Sequence, residues 1–417
     1  MSSSSGFIKN LKYSFRALHH RNYQLFFFGQ GVSLIGTWMQ RIAMSWLIYQ
    51  LTGSAFLLGV VTFLNQIPTF LLAPIAGVYA DRWDRKKTLI ITQALSMIQA
   101  LALAILVLGG WIQVWHVVVL GSFLGIINAF DIPIRQTFIR DLLEDPADLP
   151  SAIALNSSLM NGARIVGPSI AGILISLVGE GICFLLNGLS YIGVIWILYQ
   201  MKVHSKKLTN PKGNVWQDLR AGSTYAFQDP LIKGTLISVT IVSLVGMSYT
   251  VLMPAVAAEI LQGGPQTLGI LMGAVGVGAI LGAIIFSSLS TFQRLRKIIP
   301  YGAILMGISL ILFAQANHLI GSILTLTAIG VGQIFQMGAS NTLLQTISAP
   351  AMRGRIMSFY TMAFMGMAPF GAFLSGSLAS LFGLSATFIL SGITCILSGL
   401  FFLRYVPFPK KPPIENQ

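Results

Sequence analysis

Four charged side chains stand where the sequence is otherwise apolar: Arg41, Asp131, Arg135 and Arg164. A guanidinium in such surroundings faces a cavity, a carbonyl or an acid, and it recognises carboxylate or phosphate. An embedded carboxylate is functional by default, as one half of an ion pair or as a proton acceptor. Arg135 follows Asp131 by one helical turn and can pair with it. No bond-making chemistry converges elsewhere. His19, His20, His116, His204 and His318 are scattered, and no spacing suggests a metal centre. Cys183 and Cys395 lie in apolar stretches and read as small apolar residues rather than a disulfide. A Gly-x-x-x-x-Gly-Lys-[ST] phosphate loop is missing, so ATP does not drive this chain. Neither an enzyme nor a cofactor is expected.

The elements that position these groups follow from composition. Of 417 residues, 54% are hydrophobic and 9% charged, against roughly 25% charged in soluble domains. That excludes a soluble globular protein and a disordered one. Windows such as Ile42–Ala80, Thr88–Phe130 and Ile298–Met352 hold no charge at all. Each is long enough for two membrane helices of roughly 20 residues. Alternation suited to a barrel is absent. The expected fold is an all-α membrane protein of twelve transmembrane helices. They begin near Tyr23, Ser54, Thr88, Val114, Ser151, Gly181, Leu231, Thr267, Ile298, Ser322, Arg355 and Ser385. The first hydrophobic run is too long for a cleaved signal and is expected to stay as a helix.

All but three of the 26 Lys and Arg residues then fall on one side, the exceptions being Arg41, Arg135 and Arg164. The positive-inside rule puts both termini and the central loop in the cytoplasm. The net charge of +14 thereby faces anionic lipid, without nucleic acid as a partner. Five segments are expected: 1–21, lying on the inner surface through Ile8, Leu11, Phe15 and Leu18; 22–201, six helices; 202–230, a central loop with a short amphipathic helix; 231–405, six more helices; and 406–417, a tail. Gly167-Pro-Ser-Ile-Ala-Gly172 and Ala368-Pro-Phe-Gly-Ala-Phe373 occupy similar places in the two halves. Such repeats point to a transporter with its site at the repeat interface.

Between spans two and three stands Gly77-Val-Tyr-Ala-Asp81-Arg82-Trp-Asp-Arg85-Lys86-Lys87. Gly77 permits close helix approach. Asp81 is expected to begin the next helix, where its charge suits the dipole. Arg85 can pair with an acid on a neighbouring helix. The pattern resembles the G-x-x-x-D-R-x-G-R-[RK] signature of the major facilitator superfamily, with Asp84 where that signature has Gly. The resemblance covers essentially the whole chain and implies two six-helix bundles that rock about a midplane site. It also implies a cytoplasmic latch formed by Gly77, Asp81, Arg82, Arg85 and Lys86. Counting from Val114 puts Asp131 roughly 25 Å further in, a depth that favours the latch, with Arg85 and Arg135 as partners. Proton acceptance by Asp131 is the rival reading.

The stretch Asn156…Asn161-Gly162-Ala-Arg164…Gly167-Pro168…Gly172 resembles the G-P-x-x-G/A-G signature of antiporter-type exporters. Pro168 is expected to bend its helix and the glycines to pack it tightly. Arg41 and Arg164 lie at similar depth, and Asn156 and Arg164 share a face. Asn65, Gln66, Gln333 and Gln336 add neutral polar groups, most of which serve helix packing. The path they line reads as cationic, suited to an anionic or chelating amphiphile, although both arginines read equally well as structural. Phe28-Gly-Gln…Gly36-Thr-Trp-Met-Gln-Arg41, Asp131-Ile-Pro-Ile-Arg135-Gln and Met352-Arg-Gly-Arg-Ile-Met-Ser358 narrow the resemblance. They are similar to the branch holding the enterobactin exporter and macrolide-efflux proteins. That implies export of a siderophore or of drugs by proton antiport, from a monomer in the lipid bilayer. Lysophospholipid transport, and a non-transporting sensor or assembly protein on the same scaffold, are the alternatives.

Overall fold

The computed structural model describes residues 15–80, 83–201, 203, 215–289, 292–350 and 352–406. The side chains of 73–75, 77–80, 215–219 and 292–293 are outside that description. Secondary structure among the described residues is helical throughout. Apolar chain in lipid has to satisfy its backbone within each segment, and a helix does so. The expected surface residues Ile8 and Leu11 and the expected helix-starting Asp81 lie outside the described residues, as does Arg82. A 3-10 turn, Arg16–His19, is the first described element.

The chain divides into two compact units. One comprises Met1–Leu51 and Leu64–Asn210, the other Thr52–Phe63 and Pro211–Gln417. The first unit is built on α1 (Arg21–Thr52), α2 (Ala55–Ala80, from Leu64 onward), α3 (Arg85–Leu108), α4 (Val114–Asp141), α5 (Leu149–Val178) and α6 (Glu180–Gln200). Glycines set its close crossings. A methyl group on Gly167 would lie 2.5 Å from Trp38 Cβ, and one on Gly36 would lie 2.5 Å from Asn187 Oδ1. These contacts lock α1 to α5 and α6, as small residues do between membrane helices. Tyr23, Phe26, Leu89, Ile134, Phe138, Leu142 and Leu198 pack into one apolar cluster. Tyr23 also donates to the Ala152 carbonyl at 2.9 Å. Pro168 does not interrupt α5, which runs unbroken through it.

The second unit contains α7 (Val215–Gln228), α8 (Pro230–Ile241), α9 (Pro265–Leu289), α10 (Phe292–Phe313), α11 (Leu319–Ile347), α12 (Arg353–Phe364), α13 (Ala368–Phe382) and α14 (Leu384–Tyr405). Asp229 caps α8 through the Leu231 and Ile232 amides at 2.8 and 3.2 Å. Two expected spans are irregular here. After α8 the chain passes through a π segment (Val242–Gly246), a 3-10 stretch (Met247–Leu252) and a second π segment (Val256–Ile260). The span expected from Arg355 is interrupted at Met365–Met367. Pro254 and Pro369 supply part of the reason, each removing a backbone donor. The two irregularities meet: the Ser243 hydroxyl donates to the Phe364 carbonyl, the last of α12. Gly371 then packs directly on Leu244 and Ser248.

One device recurs in both units. Gly179 ends α5 and begins α6 at φ 81°, and Gly383 ends α13 and begins α14 at φ 84°. Only glycine adopts this left-handed backbone without strain. Eleven segments among the described residues are long and apolar enough to cross a membrane. The 32-residue α1 is not among them. Its sequence carries Gln30, Ser33 and Gln40, which are buried inside the unit. Polar groups turned inward lower the mean hydropathy of a helix without exposing it to lipid.

Candidate functional site

The described residues of the signature motif stand at the end of α2 and the start of α3. Helix α3 starts at Arg85, and its cap is Asp84, whose carboxylate accepts from the Lys87 amide at 3.1 Å. The expected helix start at Asp81 is therefore corrected to Asp84. The residue that departs from the superfamily signature is the one that satisfies the helix end. Gly77 lies within α2. Lys86 reaches across to the end of α6, donating to the Met201 carbonyl at 2.6 Å and the Tyr199 carbonyl at 3.3 Å. A cation suits the negative end of that helix. Trp83 stacks on Phe130 with ring centroids 5.8 Å apart.

Arg85 is buried, and its Nη1 straddles both oxygens of Asp141 at 2.9 and 2.8 Å. The expected pairing of Arg85 with Asp131 does not form. Helix α4 continues past Asp131 to Asp141, roughly 15 Å further along its axis. The acid at the true end of the helix takes the arginine.

Asp131 instead belongs to a separate buried cluster. Its Oδ1 accepts from Thr92 Oγ1 and Gln93 Nε2, both at 2.8 Å, and its Oδ2 pairs with Arg135. Arg135 also donates to Gln30 Oε1 at 3.1 Å. Three helices, α1, α3 and α4, thus hold one carboxylate and one guanidinium among two amides and a hydroxyl.

A second polar chain runs beside it. Gln40 donates to Gln99 at 2.8 Å and accepts from Asn187 at 2.7 Å, and the Tyr191 hydroxyl lies between Asn187 and Thr37 at 3.5 and 3.4 Å. Sequence reasoning passed over Gln40, Gln99 and Asn187. The signal was available, since each is an amide inside an apolar stretch. The same holds for Asp84, a helix-capping residue type directly ahead of a helix.

Arg41 is exposed on α1, with its guanidinium 4.6 Å above the Trp38 ring. Arg164 of α5 is half-buried and close enough for the two positive charges to repel. Asn161, also exposed, donates to the Ser157 carbonyl at 2.9 Å, and Asn156 is half-buried. Asn65 packs into the notch left by Gly121 and Gly125, which places it at the α2–α4 crossing; Gln66 beside it is exposed. In the second unit Gln333 and Gln336 are buried in α11, and Gln336 donates to Ser238 at 3.4 Å. The first unit therefore contains three distinct charged groups, Arg85 with Asp141 and the neighbouring Lys86, Asp131 with Arg135, and Arg41 with Arg164. Gln333 and Gln336 belong to the second unit. Among the described residues no group of His, Cys, Asp and Glu could hold a metal ion.

The family model described as transmembrane secretion effector matches residues 13–413. The staphyloferrin A transporter of Staphylococcus aureus is 25% identical over 383 residues, covering 91% of this chain and 95% of the relative. Macrolide efflux protein A of Streptococcus pyogenes is 25% identical over 389 residues, covering 90% and 95%. A solved POT family transporter in complex with 5-aminolevulinic acid shares the fold, with TM-score 0.75, 13% identity, and coverage of 93% of this chain and 96% of that one. The chain is a multi-pass protein of the bacterial inner membrane, and it belongs to the transmembrane secretion effector family of major facilitator transporters.

Proposed function

We propose that this transporter exports an anionic or amphiphilic small molecule, siderophore-like or drug-like, in exchange for protons. It would work as a monomer of twelve spans with both termini cytoplasmic, α1 supplying the span that hydropathy alone passes over. In this reading the segments 22–201 and 231–405 are the two bundles that rock about a midplane site. The group around Arg85, Lys86 and Asp141 controls the cytoplasmic gate, with Gly77, Asp81 and Arg82 completing it.

The Arg41–Arg164 pair carries the substrate class. The two positive charges lie within electrostatic reach of each other on apolar helices, and a carboxylate or phosphate is a group that both guanidinium ions can bind. Exposed Asn161 and half-buried Asn156 and Arg164 on α5 add hydrogen-bonding groups suited to a polar path rather than to lipid. The relatives named for staphyloferrin A and for macrolide efflux support export of an amphiphile.

The test compares small molecules in medium, cells and membranes of strains with and without the gene, with the Arg41→Gln/Arg164→Gln protein as a third arm. An anionic metabolite lost from the medium and retained in cells, in both the deletion and the double variant, is the expected result. Restored export by the double variant sinks the anion-site reading. Unchanged medium with altered membrane lysophospholipids replaces small-molecule export with lipid transport.

A further inference from the structure

The chain just ahead of the first long helix of each unit is fastened at a matching place. In the first unit the 3-10 turn Arg16–His19 lies on the connection that leads into α5. Ala17 is buried, and its amide donates to Ser151 Oγ at 3.2 Å. The two oxygens of Asp148 take Arg16 Nε at 3.2 Å and His20 Nε2 at 3.0 Å. In the second unit α7 lies against α12 and the turn ahead of it. A methyl group on Gly222 would lie 3.0 Å from Arg355 Cβ, and the Ala349 amide donates to the Tyr225 hydroxyl at 3.2 Å. Asp148 and Ala349 stand 201 residues apart, the spacing of Pro168 and Pro369. The holding groups are an ion pair and an imidazole in one unit and a phenol in the other. One place held twice by unlike chemistry points to a mechanical need there.

His20 sets the two places apart. The Glu144 amide donates to its Nδ1 at 3.2 Å. A backbone N–H can only donate, so Nδ1 is an acceptor and Nε2 carries the proton that goes to Asp148. The contact therefore requires a neutral ring. A proton added at Nδ1 sets a second N–H against that of Glu144, and this contact opens. The ring, now charged +1, keeps Asp148. The other charged and titratable groups about it are Arg16 and His19 on the turn, Glu144 and Asp145 on the connection, and Arg21 at the start of α1. His19 is exposed. An imidazole changes charge near neutral pH, whereas a phenol keeps its proton there.

We propose that Arg16–His20 is an acid-released strap on the start of α5, and that α7 is its acid-insensitive counterpart on α12. Mild acid on this face frees the connection at Glu144 from the strap. The start of α5 can then shift, while that of α12 stays held. The inference rests on the export reading only for its consequence. Release acts on the helix that carries Asn161 and Arg164, so acid would loosen one wall of the path and leave the other unit as it was.

The test is hydrogen–deuterium exchange, read by mass spectrometry on the full-length protein in lipid nanodiscs. It is run from about pH 7.5 to about pH 5.5, the range in which an imidazole titrates, with intrinsic exchange rates divided out. Exchange in the stretch around Glu144 should rise by about fivefold toward acid, the factor that loss of one ordinary hydrogen bond gives. The stretch around Ala349 should stay level. His20→Gln, whose amide accepts and donates without titrating, should hold both stretches level. Equal pH dependence of the two stretches in the wild type overturns the proposal, and so does a His20→Gln protein that keeps the wild-type rise. If His20→Gln does not fold, the wild-type comparison decides alone. Failure of the export reading shows in the strain comparison above and leaves this exchange result standing.

Discussion

Arg85 on α3 grips Asp141 at the last turn of α4, with one guanidinium nitrogen 2.9 and 2.8 Å from the two carboxylate oxygens. Both partners are largely buried. Removing one leaves the other charge stranded, at a cost of about 3 kcal/mol or more. Arg85→Gln and Asp141→Asn should each lower the thermal unfolding midpoint in detergent, and the double variant should lose less than the sum of the two. Additive losses would mean that the pair does not act as a unit.

Asp84 gives a milder, graded outcome. Asp84→Ala removes the cap of α3 and should cost about 1 kcal/mol, whereas Asp84→Gly should cost only a few tenths. Chemical denaturation of the two variants checks the order. Gly is also the residue of the superfamily signature at this place, so the near-neutral change is the one that restores the common motif.

The Gln99–Gln40–Asn187 chain should respond to single truncations more than to shape alone. Gln40→Leu keeps the volume but strands the Asn187 amide donor, which lies 2.7 Å from Gln40 Oε1. Leaving buried polar groups unpaired costs about 1–3 kcal/mol. A double-mutant cycle with Asn187→Leu should recover part of that loss, measured by thermal unfolding.

Gly179 and Gly383 should resist substitution for a reason unrelated to packing. A methyl group added at either site would meet nothing within 4 Å, so space is available. Their φ angles of 81° and 84° are what side chains avoid, and alanine at either should cost about 1 kcal/mol or more. Gly162→Ala, in open space within α5, is the matched control and should be neutral or stabilising. Unfolding midpoints of the three variants decide the matter.

Much of the helix layout is legible in the sequence, because lipid leaves the backbone no alternative and the charges mark the ends. The turns at Leu51–Ser54, Gly109–Trp111 and Phe382–Leu384 interrupt the helices where the apolar windows divide. What resisted reading was length beyond the window. Helix α4 overruns its charge-free stretch as far as Asp141, so depth counted to Asp131 named the wrong acid for Arg85. The irregular path from Val242 to Ile260 resisted for another reason. Its sequence is as apolar as any helix, and the break is set by contacts from elsewhere in the chain, Ser243 with the Phe364 carbonyl of α12 and Leu244 and Ser248 with Gly371 of α13. Arg135 was legible as the partner of Asp131 through its spacing of one turn. Gln30, Thr92 and Gln93 were not, since two other helices, α1 and α3, bring them there.

The hairpins at Gly179 and Gly383 have a practical bearing on how this protein can be handled. One residue joins two membrane helices at each, with no slack on either side. An epitope or fluorophore inserted there would unravel a helix end before it found room. The chain between α3 and α4, where Gly110 stands in open space, and the stretch Leu261–Gly264 ahead of α9 are the places to put a tag.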